Sequence, residues 1–540
     1  IEINNNIFSI GDTIQITKVT DKKSQIFISK DIQVVITLQN YSKTKISDYL
    51  IEYFINSGLN NFFGSVGNNN LHLIDSIAKK EEIELKLYSN SYVATMASLG
   101  FAKLSNQTPI VILSSGKSSI ESIEAVINSY IERENIIVLC GYSRNKTSNY
   151  KNISNENEID ISNLLKKFTN FSYKITKESE INSVLKKIIE YNNKQFKGPI
   201  WIDIPIDILG KVNVNSAKTK ITVRKKFQKY KVTDKQNIQI NKILHIINKS
   251  KKPVFLFGYG SNNPLVKNEL KKFISKFKIP LLFSKKSIGM LESNSLYNFG
   301  RPGASGNRYS NFIIQNCDLI IGVGTNFSED ITGKDLSLFS PNSKKISINL
   351  DKLNKKKKSF YDVKMNIDSM IFLEKLMDKS KSIKKFDKWV KECRKLKKVF
   401  SFNFEGYFHG TNINPYIFIN KLSKKIKPKS AIFYDGGLVS NYMQQGFETK
   451  KNQKLISFSS IDEGLALPSS LGYCGNDYEK LICICGDNNI LEIISDFSFF
   501  NKMSTPVSIF CLTGIQNNYI RQIQNQFFGK RFIGTKSMGE

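Results

Sequence analysis

The chain has 540 residues, 40% of them hydrophobic, and a formal net charge of +32. That length predicts two to four domains with ordinary globular cores, and no apolar run reaches the ~18–20 residues of a membrane span. The charge raises nucleic acid and acidic membranes as partners, but the lysines run along the whole length and no RNA-binding signature interleaves with them; neither partner is expected. Heavy use of Lys, Asn, Ile, Phe and Tyr is the drift of an AT-rich genome, and the lysine run at 355–358 reads as a solvated loop. The chain opens on Ile1 without an initiator Met or a basic-apolar leader, which predicts a fragment or processed chain with no signal peptide. Seven cysteines without a C-x-x-C pair read as small buried hydrophobes in a reducing, cytoplasmic compartment. Three histidines, His72, His245 and His409, speak against a zinc or His-based catalytic site.

Residues 1–42 contain GDTIQITKV and SQIFISKDIQVVITL. These alternating β-branched runs predict two to four short strands of unknown role. ISDYLIEYFINSG then has apolar residues at helical spacing and ends on Gly58, a C-cap. NNFFGSVGNNNLHLIDSI predicts a strand, a Gly-Asn turn and a helix start, and SYVATMASLGFAK a helix. PIVILSSGKSSIESIEAVINSYI and NIIVLCGYSR predict strand, loop, helix and strand, and GPIWIDIPIDI a further strand. The loop SSGKSS is no phosphate-binding Walker loop, because Val111 stands where the first Gly belongs. Lys-rich, nearly Gly-free residues 211–235 predict a linker.

KPVFLFGYGS is a strand entering a Gly turn; CDLIIGVGTNF and KKISINLD are further strands, each preceded by helical sequence. GYGSNN is a weak dinucleotide signal, since Asn263 replaces the third Gly. Residues 381–413 predict a basic helix and connector. NPYIFINKLSKKI and SAIFYDGGLVS begin a last α/β unit, followed by FSSIDEGLALPSSLG. Two short apolar runs, 481–485 and 507–512, with a helix-length crossover between them, predict a βαβ unit. Asp487 just past the first run sits where open α/β sheets bind ligands. One carboxylate there, among backbone N–H groups, suits a diphosphate-bound magnesium ion. Its alternative reading is a helix N-cap.

This last stretch resembles the cofactor-anchoring motif of thiamine-diphosphate enzymes of the acetolactate synthase family, in particular the polysaccharide-locus type. The family reads Gly-Asp-Gly, a spacer, then Asn-Asn after the next strand; counted from Gly486 as one, Thr513 and Gly514 stand at the two Asn positions, and Pro506 falls in register. NFGRPGASGNRYSNFIIQNCDLIIGVG and ITGK resemble the family's central domain, and GPIWIDIPIDI its first-domain end. The resemblance covers all but residues 1–42. It implies an α/β fold with three doubly wound parallel-sheet domains: pyrimidine-binding (43–210), central (236–380) and diphosphate-binding (414–540, truncated). It further implies bound thiamine diphosphate and Mg2+, a 2-keto acid substrate such as pyruvate, decarboxylation with carboligation, and a homodimer or homotetramer that shares the cofactor between subunits. FAD, held by the central domain in some relatives, is not favoured here.

Carried over position by position, the resemblance assigns cofactor binding to Gly437, Gly464, Gly486, Asp487, Asn488 and Asn489, with Asp487 the metal ligand. The family's catalytic Glu falls on Ser91, nine residues before Gly100, with Met96 and Ala97 in register. A Ser hydroxyl does not exchange a proton near neutral pH, and losing such acid–base help costs about 10²–10⁴ in rate. Glyoxylate carboligases of the same superfamily work without this Glu. Four further departures crowd the same pocket. Gly116-Lys117-Ser118 replaces Gly-Pro-Gly, Tyr142 replaces an active-site Gln, Gly514 replaces a ligating Asn, and Glu463 replaces the apolar residue that props the cofactor. Asn488 also replaces the motif's second Gly. Three readings follow: a family member with weak or lost activity; a non-catalytic subunit that pairs with an intact paralogue; or a changed site using Glu463 or Tyr142 as a new acid–base group.

Overall fold

A computed structural model describes residues 44–535 and two short strands at 25–28 and 34–37; residues 82, 144–158, 195, 213–231, 351–358, 381–382, 402–412, 460–463, 474, 476, 487–489, 491–492 and 514 lie outside the description. The two short strands, β1 (Gln25–Ile28) and β2 (Val34–Thr37), pair antiparallel. They fall in the second of the two β-branched runs; the first, GDTIQITKV, lies outside the described residues.

The fold is α/β, with three doubly wound parallel sheets. The first contains β3 (Phe62–Gly64), β4 (Leu85–Leu87), β5 (Ile110–Ser114), β6 (Ile137–Tyr142), β7 (Phe171–Lys174) and β8 (Ile200–Pro205) in the order β4-β3-β5-β6-β8-β7. Its central strands β5, β6 and β8 are buried along their whole length, as strands covered by helices on both faces are, and are mainly apolar; the buried Asp203 in β8 accepts from the Trp201 indole N–H at 2.7 Å. The second sheet contains β9 (Pro253–Phe257), β10 (Leu281–Phe283), β11 (Leu319–Val323), β12 (Lys344–Ile348) and β13 (Val363–Met365) in the order β10-β9-β11-β12-β13. The third contains β14 (Ser430–Tyr434), β15 (Lys454–Ile456), β16 (Lys480–Gly486) and β17 (Val507–Leu512) in the order β15-β14-β16-β17. In each, the second strand in sequence folds back beside the first and the third lies on the first strand's other side. That reversal opens a crevice at the C-terminal strand ends.

The βαβ reading of 481–512 holds: β16 and β17 pair in parallel, Cys483 opposite Ile509 and Gly486 opposite Leu512. The crossover is a tight 3-10 helix, Ile494–Lys502. The approach to β12 departs from the helical expectation. Only Glu329–Thr332 is helical, with Gly333 at φ +75° breaking it. The run read as a linker also ends early. Thr233 caps the helix Asp234–Lys249 by accepting from Gln236 N, and Gln236 closes a capping box.

Two close approaches lock the first and third sheets' helices together. The Ser91–Ser105 helix crosses the Ala466–Ser470 helix with glycine at both contacts. A Cβ added at Gly100 would lie 2.0 Å from Ser469 O, and one at Gly472 1.8 Å from Ala97 O. Backbone cannot yield as a side-chain tip does. Gly100→Ala is therefore expected to destabilise the chain by about 1–3 kcal/mol or more, read as a lowered denaturation midpoint; Gly58→Ala, where nothing lies within 4 Å but φ is +78°, should cost only the left-handed backbone penalty of about 1 kcal/mol.

A buried ionic cluster joins all three sheets. Glu132, 1% exposed, ends the Ile123–Glu132 helix. Its carboxylate takes Lys103 Nζ at 2.5 Å, Lys286 Nζ at 3.1 Å and the Ser459 backbone N–H. Lys103 also donates to Ser457 O at 2.7 Å and lies 4.8 Å from the Phe458 ring centroid. The Tyr259 hydroxyl donates to Glu134 Oε1 at 2.5 Å. Lys103, Glu132 and Glu134 belong to the first unit, Tyr259 and Lys286 to the second, and Ser457 and Ser459 to the third.

Candidate active site

At the crevice of the first sheet, β3 ends at Gly64 and β5 at Ser114. Asn90 caps the helix that carries Ser91, accepting from Tyr92 N (2.7 Å) and Val93 N (3.3 Å). Ser91 is thus the first helical residue, and it is 3% exposed. Its hydroxyl lies 2.7 Å from Ser65 Oγ and donates to Ser118 Oγ at 2.7 Å; Ser65 and Ser118 close the ring at 3.2 Å. Ser118 comes from the loop that replaces Gly-Pro-Gly. Gly116 there has φ +86°, and Lys117 points to solvent, 3.5 Å from Glu121. Three hydroxyls satisfy one another, and none titrates near neutral pH. Tyr142 ends β6 and is buried beneath Lys174, whose Nζ lies 3.9 Å from the ring centroid.

The third sheet meets this helix through Asp496, a residue the sequence reading passed over. Asp496 is fully buried. Its carboxylate accepts from Ser89 N at 2.6 Å, Asn90 N at 3.1 Å and Ser495 Oγ at 3.1 Å. A negative charge placed on the free N–H groups ahead of a helix is stabilised by them and by the helix dipole. Tyr88 adds a second link, donating to Leu471 O at 2.9 Å and stacking on Phe499 at 4.6 Å. The position of Ser91 is therefore set by the crossover between β16 and β17.

At the crevice of the third sheet, Asp435 follows β14 and is fully buried. It accepts from Ala466 N at 2.9 Å and Gly486 N at 3.3 Å, which ties the end of β16 to the helix after Gly464. Gly437 (φ +52°) and Gly464 (φ +106°) adopt backbone conformations that disfavour a side chain. Three of the sequence-assigned residues, Gly437, Gly464 and Gly486, thus gather around Asp435. The assigned Asp487, Asn488 and Asn489 lie outside the described residues, as do Glu463 and Gly514. In the described part of this crevice the Ala466 and Gly486 N–H groups are taken by Asp435, and Gly437 and Gly464 leave bare backbone turns beside it. The first sheet's crevice supplies no carboxyl at Ser91 and does not fit a group that needs an acid there.

The second sheet's Gly turn packs on its own neighbour. Gly260 N donates to Gly324 O at 2.9 Å, and a Cβ on Gly258 would lie 2.4 Å from the same oxygen. These glycines serve close approach of two turns.

Residues 44–164 match the family described as thiamine pyrophosphate enzyme, N-terminal TPP binding domain, and residues 240–376 the thiamine pyrophosphate enzyme central domain. Similar proteins include the acetolactate synthase large subunit of Buchnera aphidicola subsp. Acyrthosiphon pisum, 25% identical over 491 residues that cover 90% of this chain and 85% of the relative. The acetolactate synthase isozyme 2 large subunit of Escherichia coli K12 is 22% identical over 481 residues (88% and 84%), and a probable acetolactate synthase large subunit of Methanocaldococcus jannaschii 25% over 489 (88% and 81%). With three doubly wound sheets and two matched domains, the chain belongs to the thiamine-diphosphate-dependent enzyme family, in its acetolactate synthase-like branch.

Proposed function

We propose that this chain is an acetolactate synthase-like protein for 2-keto acids such as pyruvate whose cofactor site is impaired, so that decarboxylation with carboligation is weak or lost. The observation that carries this reading is the closed hydroxyl ring of Ser65, Ser91 and Ser118 where the family places a carboxyl. Thiamine diphosphate, when bound, supplies the carbon nucleophile for 2-keto acids. The chain's own part is to hold it and to move protons beside it. Asp487 is the proposed magnesium ligand, with Gly437, Gly464, Gly486, Asn488 and Asn489 along the diphosphate. Magnesium keeps waters and phosphate oxygens, so Gly514 in place of a ligating Asn weakens the ion without removing its site. Ser91 donates and accepts hydrogen bonds but shuttles no proton. FAD is not favoured, since the Gly258–Gly260 turn packs against Gly324.

The expected assembly is a homodimer or homotetramer. A second reading, a non-catalytic subunit beside an intact paralogue, rests on the same hydroxyl ring, which leaves Ser91 without a proton-exchanging group. Calorimetric titration of the full chain with thiamine diphosphate and Mg2+ separates the two. Weak saturable binding is expected on the first reading; no detectable heat would favour the subunit, and tight binding with ordinary turnover would remove both.

A further inference from the structure

Where the second and third sheets meet, a cavity of about 430 Å³ opens. It is lined by Arg301 and Tyr309 from the loop and helix after β10, Lys397 from the Asp387–Val399 helix, and Asn420 and Gln445 from the third unit. It shares no lining residue with the Ser91 or Asp435 crevices.

Arg301 is 7% exposed. Its Nε–H donates to Gln444 O at 2.5 Å and one terminal N–H reaches Phe447 O at 3.5 Å. The rest of its five donors find no acceptor, and no carboxylate lies within ion-pair distance, among the described residues. Lys397 donates to Ser293 O (3.2 Å) and Asn298 O (2.8 Å), again without a carboxylate. Burial, then the Arg301 charge, pulls the Lys397 pKa down, with only Glu448 opposing. The Tyr309 hydroxyl also has no hydrogen-bond partner among the described residues. Glu448 lies at the rim, half exposed, and is engaged by Asn420 Nδ2 at 2.9 Å and Lys424 at 3.7 Å. Buried charge without a counter-charge is costly. A guanidinium cannot relieve the cost by losing its proton.

We propose that this cavity is a binding site for a small oxyanion metabolite, a carboxylate or a phosphate monoester, gripped by the Arg301 fork with Lys397 and Tyr309. The volume lies within the range of small-molecule sites. Amide side chains on the walls suit a ligand with hydroxyl or carbonyl groups beyond its anionic head. Because Arg301 already holds two carbonyls of the third unit, an anion on it would tighten that junction from the second unit's side.

The test is binding of inorganic phosphate and of succinate to the full chain at matched ionic strength, followed by calorimetry and thermal shift. Saturable binding of at least one probe is expected, with a raised unfolding temperature. Arg301→Gln or Lys397→Gln should weaken it by about 30-fold or more. Arg301→Lys keeps the charge without the fork and should weaken it as well, which covers the case that Arg301→Gln does not fold. Lys267→Gln, a cation of a separate cavity, should leave it unchanged. Which probe binds distinguishes carboxylate from phosphate. Failure of the wild-type chain to bind either probe, binding that survives Lys397→Gln and Arg301→Lys, or binding lost in Lys267→Gln would overturn the site.

Discussion

Glu132→Ala is expected to lower the stability of the chain by about 3–5 kcal/mol, because it leaves Lys103 and Lys286 at the junction without their counter-ion. The carboxylate sits between units that meet nowhere else in so buried an ionic contact among the described residues. Burial alone would raise its pKa. The two ammonium groups outweigh burial and hold it down at about 2, against an ordinary 4.5. A carboxyl depressed in the folded state contributes stability that is complete above about pH 4.5 and is lost as pH falls toward 2. Wild type should therefore weaken steeply across that window, and Glu132→Ala should be flatter there. Urea melts at pH 3, 5 and 7 measure both effects. The triple change Glu132→Leu, Lys103→Met, Lys286→Met removes all the charges together and should recover much of the loss. A single mutant as stable as wild type would show that the cluster does not hold the junction.

The second large effect concerns rate. Replacing Ser91 by Glu, together with Gly514→Asn, is expected to raise 2-keto acid turnover by about 10²–10⁴, roughly 3–5 kcal/mol of barrier. The new carboxyl would stand at a 3% exposed position between two hydroxyls. Burial there would raise its pKa toward neutrality, which suits proton exchange. Thiamine diphosphate affinity measured beside the rate guards against a variant that merely misfolds. Unchanged turnover in a folded variant that binds the cofactor would place the defect elsewhere, at Tyr142 or Glu463.

Much of the frame was legible because it is written in local patterns. Short apolar runs closed by a following Ser or Gly, such as 110–113, 253–257 and 481–485, read as strands buried on both faces, and they are. The motif spacing placed Gly486 at a strand end, where it lies. What escaped the sequence were residues whose meaning is tertiary. Asp496 lies in the apolar crossover SDFSFF and looks like an ordinary helix-start acid. Nothing local says that it caps a helix some four hundred positions earlier. Glu132 and Glu134, in the run IERENI, carry no local sign of their pairing, since their lysines come from residues 103, 286 and 197. Asp435 sits in a strand-to-turn segment with no local mark of its role, because its partners, Ala466 N and Gly486 N, are brought to it only by the sheet order. Register alone gives the position of Ser91; the ring it forms with Ser65 and Ser118 is tertiary, joining residues 26 and 27 positions apart.

Pyruvate consumption by the wild-type full chain, with thiamine diphosphate and Mg2+ at saturation, bears most directly on the central claim that the family frame persists around a pocket without its proton-exchanging carboxyl. Turnover at least ~10²-fold below that of an intact relative assayed alongside is expected. Turnover equal to that relative's would contradict it.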